Sequence, residues 1–290
     1  MCEIVGVMTI ALAIKVDDGV VLAADSATTM LQTDSSGAVS VMNIYNNANK
    51  LFNLHKGLPI GALTWGLGNI GPASISTLAK DLRKRFDGPA GSPGALDASS
   101  YDMETVSQNV QQFLETEKYD PAFVGVQQPD RPYLGFLTVG YSSGADSPQL
   151  FELSLGATPT VRQEVLKDDT GVIWWGQPEA ISRILNGFSL DTPQALLNIG
   201  MDAASVDPVM RGLRQQVSAQ LTQSAMPIKD AIDLAEFLVY ATVQFVRFAP
   251  GNPTVGGPIE IATVTKHEGF KWVARKHYYD RKLNPAHLGS

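Results

Sequence analysis

The chain has 290 residues, of which 44% are hydrophobic and 18% charged, and its formal net charge is -7. Such a composition supplies a buried core and belongs to an ordinary globular protein of one large domain or two. The acidic balance excludes a nucleic-acid-binding surface, which needs a basic stripe to displace counterions from phosphates.

Cys2 is the single cysteine, so an intramolecular disulfide framework and a cysteine-built zinc cluster are both excluded, and a reducing cytoplasm suits the chain. The stretch "IVGVMTIALAI" is preceded by Glu3 and by no Lys or Arg, the wrong charge for a secretory signal. No uninterrupted apolar run approaches the ~20 residues of a membrane-spanning helix, so no membrane partner is expected.

From Thr9 to Val16 apolar and small residues dominate, Asp17-Asp18-Gly19 marks a tight turn, and Val20 to Ala24 resumes a β-rich run. This is a hairpin signal. Residues 31 to 49 read as an excursion with turn chemistry. "KLFNL" and "LPIGALTW" read as two strands around a His55-Lys56-Gly57 turn.

Ile75, Leu78, Leu82 and Phe86 fall on one helical face, in a helix that starts behind Pro72 and ends at Gly88. Residues 87 to 100 form a connection, and a second helix carries Met103, Val106, Val110 and Phe113. Strands are expected at Tyr133 to Tyr141, Gln149 to Leu155 and Val172 to Trp175.

Next come a helix through Ala180, Ile184 and Leu185, a helical stretch from Thr192 to about Gln223, and a helix from Pro227 to Phe248. "PIEIATVT" and "FKWVARK" follow as alternating strands, and the basic segment "KWVARKHYYDRKLNPAH" reads as a solvated end or a subunit contact. This order is expected if two sheets stack face to face with helices outside.

Four stretches carry a family resemblance: "TIALAIKVDDGVVLAADS", "NANKLFNLHKGLPIGALTWGLGNIG", "WWGQPEAISRIL" and "VGGPIEIATVT". Through them the chain resembles the β-type subunits of the proteasome and their bacterial relatives, within the N-terminal nucleophile hydrolases. The resemblance implies an α+β fold, a four-layer αββα sandwich, over residues 9 to 275, with residues 1 to 8 as a leader and 276 to 290 as a tail. It also implies a homo-oligomer in a ring or related assembly, a peptide or small amide as substrate, and no metal or organic cofactor. The resemblance leaves open whether a regulatory ATPase is a partner.

By position the resemblance makes Thr9 the first residue of the mature chain, Asp25 the carboxylate after the second strand, Lys50 the lysine before the next, and Gly66 the oxyanion-hole glycine. The chemistry explains why these types belong together. A threonine hydroxyl is a poor nucleophile until a base takes its proton, and an N-terminal α-amine of pKa ~7.7–8.0 serves at neutral pH where an amide nitrogen cannot. Lys50 beside Thr9 would disfavour protonation of that amine and stabilise a developing alkoxide, with Asp25 balancing its charge. The Gly66 N–H would meet the oxyanion. With the turn at Asp17 to Gly19, Thr9 falls opposite Asp25 to Ala27, whereas Cys2 overshoots.

The chain departs from the family pattern in three places where the family supports the amine and hydroxyl by hydrogen bonding. Gln177 stands where a Ser is usual, Asn252 where an Asp is usual, and Val255 where a Ser is usual. Gln177 and Asn252 still donate and accept, whereas Val255 does neither. The residue before Thr9 is Met8 instead of Gly, so Met8 is a candidate initiator. The stretch from Asp191 to Ala225 is longer than the resemblance requires, and an interface is one use for it.

Other readings of the same residues stay open at this stage. Thr9 is compatible with a plain strand position, Asp25 with a turn cap, and Lys50 with a solvated face. The altered positions also fit a catalytically inactive assembly subunit. "MCEIVG" is similar to the "MCGI" start of glutamine amidotransferases, with Glu3 where they have Gly, which makes Cys2 an alternative nucleophile. His55, His267, His277 and His287 lack metal-ligand spacing and read as surface residues. Gly66-Leu67-Gly68-Asn69-Ile70-Gly71 has the G-x-G-x-x-G form, but hairpins surround it where a dinucleotide site needs a parallel βαβ unit.

Overall fold

In the computed structural model, which describes residues 9–33, 39–128, 130–156 and 160–276, the chain opens with a hairpin buried on both faces. β1 (Ile10–Val16) pairs antiparallel with β2 (Gly19–Ala24) around Asp17 and Asp18, with Ala11 opposite Ala24. Alternate residues serve two different cores. Ala11 and Ala13 face a second sheet, and Ile10, Leu12, Ile14 and Val16 face a helix. Small side chains on one side let the sheets approach, and large ones fill the space beneath the helix. Each large aliphatic residue buried here contributes about 1.5–3 kcal/mol.

β3 (Thr28–Thr33) and β4 (Val39–Tyr45) form a separate two-stranded ribbon. The excursion with turn chemistry expected over residues 31 to 49 thus carries strand at 31–33 and 39–45, with its tip outside the described residues. β5 (Leu51–Asn53) and β6 (Ile60–Gly66) pair antiparallel, followed by the short β7 (Asn69–Ile70) and β8 (Ala73–Ser74). Thus Gly66 to Gly71 leads into an antiparallel hairpin and not into a βαβ unit.

α1 (Ile75–Phe86) starts where the Ser74 hydroxyl accepts from the Thr77 N–H, and it ends on Arg83, Lys84 and Arg85, cations suited to its negative pole. α2 (Met103–Gln111) is capped by Asp102, runs on through a π-helical segment (Gln112–Tyr119) and closes with α3 (Asp120–Ala122). β9 (Leu134–Gly140), β10 (Gln149–Leu155), β11 (Val161–Val165) and β12 (Gly171–Gly176) follow.

α4 (Glu179–Ile181) continues into a π-helical turn (Ser182–Asn186). The long helix expected from Thr192 is two helices, α5 (Thr192–Asn198) and α6 (Ala203–Val217), because Gly200 takes φ +96 and the Asp202 side chain caps a new start. α7 (Ile228–Phe248), β13 (Glu260–Thr265) and β14 (Gly269–Ala274) complete the described elements.

Two five-stranded antiparallel sheets result, in the orders β12-β1-β2-β13-β14 and β11-β10-β9-β6-β5. Leu22, Trp65, Leu137 and Val264 are among the residues that fill the core between them. α1 and α2 bury Leu78, Leu82, Val106 and Val110 on the outer face of the second sheet, and α7 buries Ala235, Leu238 and Val239 on the outer face of the first.

The four-layer αββα sandwich implied by the resemblance needs correction. The described residues form a mixed α/β fold with four antiparallel sheets, two of them two-stranded ribbons apart from the larger pair. α5 buries no side chain and α6 buries only Val206, so these helices are not part of a layer on a sheet. Among the described residues no helix is long and apolar enough to cross a membrane. Residues 1–8 with Cys2, and the tail residues His277 and His287, lie outside the described residues.

Candidate active site

Thr9 is held by its backbone before its side chain does anything. Its carbonyl accepts from the Gln177 N–H at 2.7 Å, continuing the β1–β12 ladder that sets Ile10 opposite Gly176. A Cβ on Gly176 would stand 1.9 Å from the Thr9 carbonyl oxygen, so this close approach requires glycine.

The hairpin then delivers Asp25 to the same place, because its N–H donates to the Ile10 carbonyl. Asp25 is fully buried, at 0% exposure, and is saturated with donors. Oδ1 accepts the Thr9 hydroxyl at 2.5 Å and the Ile10 N–H at 3.1 Å. Oδ2 accepts the N–H groups of Ala27 and Gly256, both at 3.0 Å.

Lys50, one residue before β5, completes the cluster. Its ammonium lies 2.5 Å from Asp25 Oδ1 and also donates to the Thr9 hydroxyl oxygen. Burial pushes its pKa below the usual lysine value, and the Asp25 charge and hydrogen bond oppose that shift. Lys276 adds a further lowering and Glu260 a further raising influence.

Thr9 and Lys50 open onto a cavity of about 370 Å³ that is also lined by Thr29, Trp65, Gly66 and Gly68. Gly66 sits at φ +83, and a Cβ there would lie 2.5 Å from the Tyr133 carbonyl oxygen. Beside it the Leu67 N–H donates to that same carbonyl at 2.9 Å, which fixes the backbone along the cavity wall.

No family model matches the chain, and no curated protein matches it by sequence. Among solved structures, Anbu from Hyphomicrobium sp. strain MC1, a Gly-1 mutant, matches at TM-score 0.51 and 16% identity, over 95% of this chain and 91% of that one. The fold resembles that of Anbu. Anbu from Yersinia bercovieri, described as an ancestral beta-subunit, matches at TM-score 0.47 and 14% identity, over 92% of this chain and 88% of that one.

The match to the Hyphomicrobium chain corrects the resemblance drawn from the sequence. The structural likeness is to Anbu, and at 16% identity it extends to the fold alone. A placement in the proteasome β-subunit family of N-terminal nucleophile hydrolases is not carried by it.

The structure brings Thr9, Asp25 and Lys50 into mutual contact and sets Gly66 on the cavity they share. Gln177 and Asn252 lie elsewhere. Their side chains border a second cavity, of about 180 Å³, together with Thr242 and Phe245, and neither hydrogen-bonds to Thr9, Asp25 or Lys50. Gln177 reaches Thr9 only through its backbone N–H. Val255 is buried in the core beneath α7.

Three contributors were not legible in the sequence: the Ala27 and Gly256 N–H groups on Asp25, and the Lys276–Glu260 pair nearby. Backbone donors leave no side-chain signature. Glu260 did leave one, as a charge in the otherwise uncharged alternating strand "PIEIATVT".

Proposed function

We propose that the chain is a threonine-type N-terminal nucleophile hydrolase that cleaves peptide or other amide bonds, with Thr9 as nucleophile once residues 1 to 8 are removed. The observation that carries this is the buried three-way contact of the Thr9 hydroxyl, the Asp25 carboxylate and the Lys50 ammonium at the wall of a cavity. A strand threonine needs no buried lysine on its hydroxyl. A structural ion pair needs no opening to solvent.

The Thr9 oxygen attacks the substrate carbonyl carbon while the Thr9 α-amine takes the hydroxyl proton. The Gly66 N–H receives the developing oxyanion, and the Lys50 charge favours the alkoxide while disfavouring protonation of the amine. When the carbon–nitrogen bond of the substrate breaks, the amine proton passes to the leaving nitrogen. Water then cleaves the Thr9 ester by the reverse proton route. Asp25 keeps Lys50 in place.

Residues 9 to 275 form the hydrolase domain, and the chain assembles as a homo-oligomer. The site requires no metal or organic cofactor, and the cytoplasm is the compartment.

Turnover of an amide substrate by chain that begins at Thr9 tests this. Thr9→Ala is expected to lower turnover on the order of 10³-fold or more while Thr9→Ser keeps activity. Full activity in Thr9→Ala overturns the assignment. No activity in the parent leaves a catalytically silent subunit.

A further inference from the structure

Behind the Asp25–Lys50 pair lies a second buried ion pair. Lys276 Nζ is 2.9 Å from Glu260 Oε2, and the two side chains are 6% and 1% exposed. Glu260 Oε2 and the Lys276 ammonium are held as a close ion pair. Lys276 also donates to the Ser26 hydroxyl at 2.7 Å and to the Ala48 carbonyl at 2.5 Å.

Those two acceptors are well placed. Ser26 follows Asp25 directly, and Ala48 precedes Lys50 by two residues. The Ala48 N–H donates to the Ser26 carbonyl at 2.9 Å, and the Ser26 hydroxyl donates to the Pro258 carbonyl at 2.6 Å. Thus one ammonium is bound to the segment that carries the carboxylate and to the segment that carries the lysine of the first pair. Glu260 comes to this point because β13 sets it opposite Ala24, the residue before Asp25.

We infer that Lys276 is a positioning residue for Lys50, and that with Glu260 it sets the electrostatic balance at the Thr9 hydroxyl. The segment that reads in the sequence as a solvated basic end is, at Lys276, a buried part of the site's support. The charges that face Lys50 are Asp25, Glu260 and Lys276, and Arg275 also acts on Lys276. The Lys276 charge opposes a second ammonium at Lys50, and the Glu260 charge favours it. Burial lowers the pKa of Lys276 itself, against the pull of Glu260.

The catalytic consequence rests on the reading of Thr9 as nucleophile, but the electrostatic one does not, and the test separates them. Nitrogen-15 titration of Lys50 Nζ in the full chain, assigned with Lys50→Arg, reads the effect directly. Lys276→Met is expected to raise the Lys50 midpoint by about 1 pH unit, and Glu260→Gln to lower it by a similar amount. Lys276→Arg is expected to leave it in place. Should Lys276→Met fail to fold, Glu260→Gln, which keeps an acceptor, carries the titration alone.

Midpoints that stay fixed in the folded variants, or that move in the same direction, overturn the inference. In the parent chain Lys276 is expected to resist amine acylation relative to surface lysines, and ready modification overturns it as well. The pH profile of Thr9 labelling by a β-lactone, measured on chain that begins at Thr9, separates the two readings. Lys50 shifts without any labelling refute the nucleophile and keep the ion-pair inference. Labelling with an unmoved Lys50 does the reverse.

Discussion

The Thr9 hydroxyl donates to Asp25 Oδ1 at 2.5 Å while its oxygen accepts from Lys50, which lies 2.5 Å from that same carboxylate oxygen. The alcohol is therefore held between a buried anion and a buried cation. Its proton points at the carboxylate and its lone pair at the ammonium. A pair buried so deeply gains little net stability, because desolvation offsets the attraction. Its value lies in orienting the hydroxyl.

Removing one partner exposes that desolvation cost. In Lys50→Met the Asp25 carboxylate stays buried without its cation, which is expected to cost about 3–5 kcal/mol. Lys50→Met combined with Asp25→Asn is expected to recover part of this loss, since no uncompensated charge remains. Denaturant unfolding of the two variants checks the order, and a double variant less stable than Lys50→Met contradicts it.

The glycines around the site make a graded prediction. Gly176→Ala brings a Cβ to 1.9 Å from the Thr9 carbonyl at φ +99, and Gly66→Ala brings one to 2.5 Å from the Tyr133 carbonyl at φ +83. Gly71, at φ +56, has nothing within 4 Å of the added carbon. Gly71→Ala is expected to cost about 1 kcal/mol from backbone strain alone, and the other two at least ~2 kcal/mol each. Thermal melting that ranks Gly71→Ala as the most damaging contradicts the geometry.

Alkaline pH should destabilise the chain through two phenols. Burial pushes the pKa of Tyr119 and of Tyr141 from 10.0 up to about 12. Each proton is held more tightly when folded, so this stabilisation is fully present below pH 10.0 and is lost as pH rises through about 12. Tyrosinate absorbance is expected to show Tyr119 and Tyr141 titrating late in the folded chain, with Tyr101 also raised by burial, and unfolding midpoints falling across that window. Midpoints that rise throughout it would contradict the assignment.

Strong periodicity made most of the fold legible. The β1–β2 hairpin, α1, α2, β10 and α7 follow directly from apolar spacing and from the turn at Asp17 to Gly19. The ribbon β3–β4 was missed because it pairs apart from the two large sheets, and the edge strand β11, from which Val165 enters the core, because Arg162, Gln163 and Glu164 interrupt its apolar pattern. The break at Gly200 was missed because helical composition continues on both sides of it. In the site, the family resemblance, and not the local pattern, singled out Thr9, Asp25, Lys50 and Gly66. Lys276 escaped notice because nothing local distinguishes a buried lysine from the solvated ones around it.

Mass spectrometry of protein from its native host, treated with a β-lactone probe, tests the nucleophile most directly. Intact mass gives the first residue, and fragmentation gives the modified atom's position. The expected result is a chain that begins at Thr9 and carries one adduct on the Thr9 side chain. An amide-hydrolysing chain that still carries Met8, with Thr9 unmodified, would contradict it.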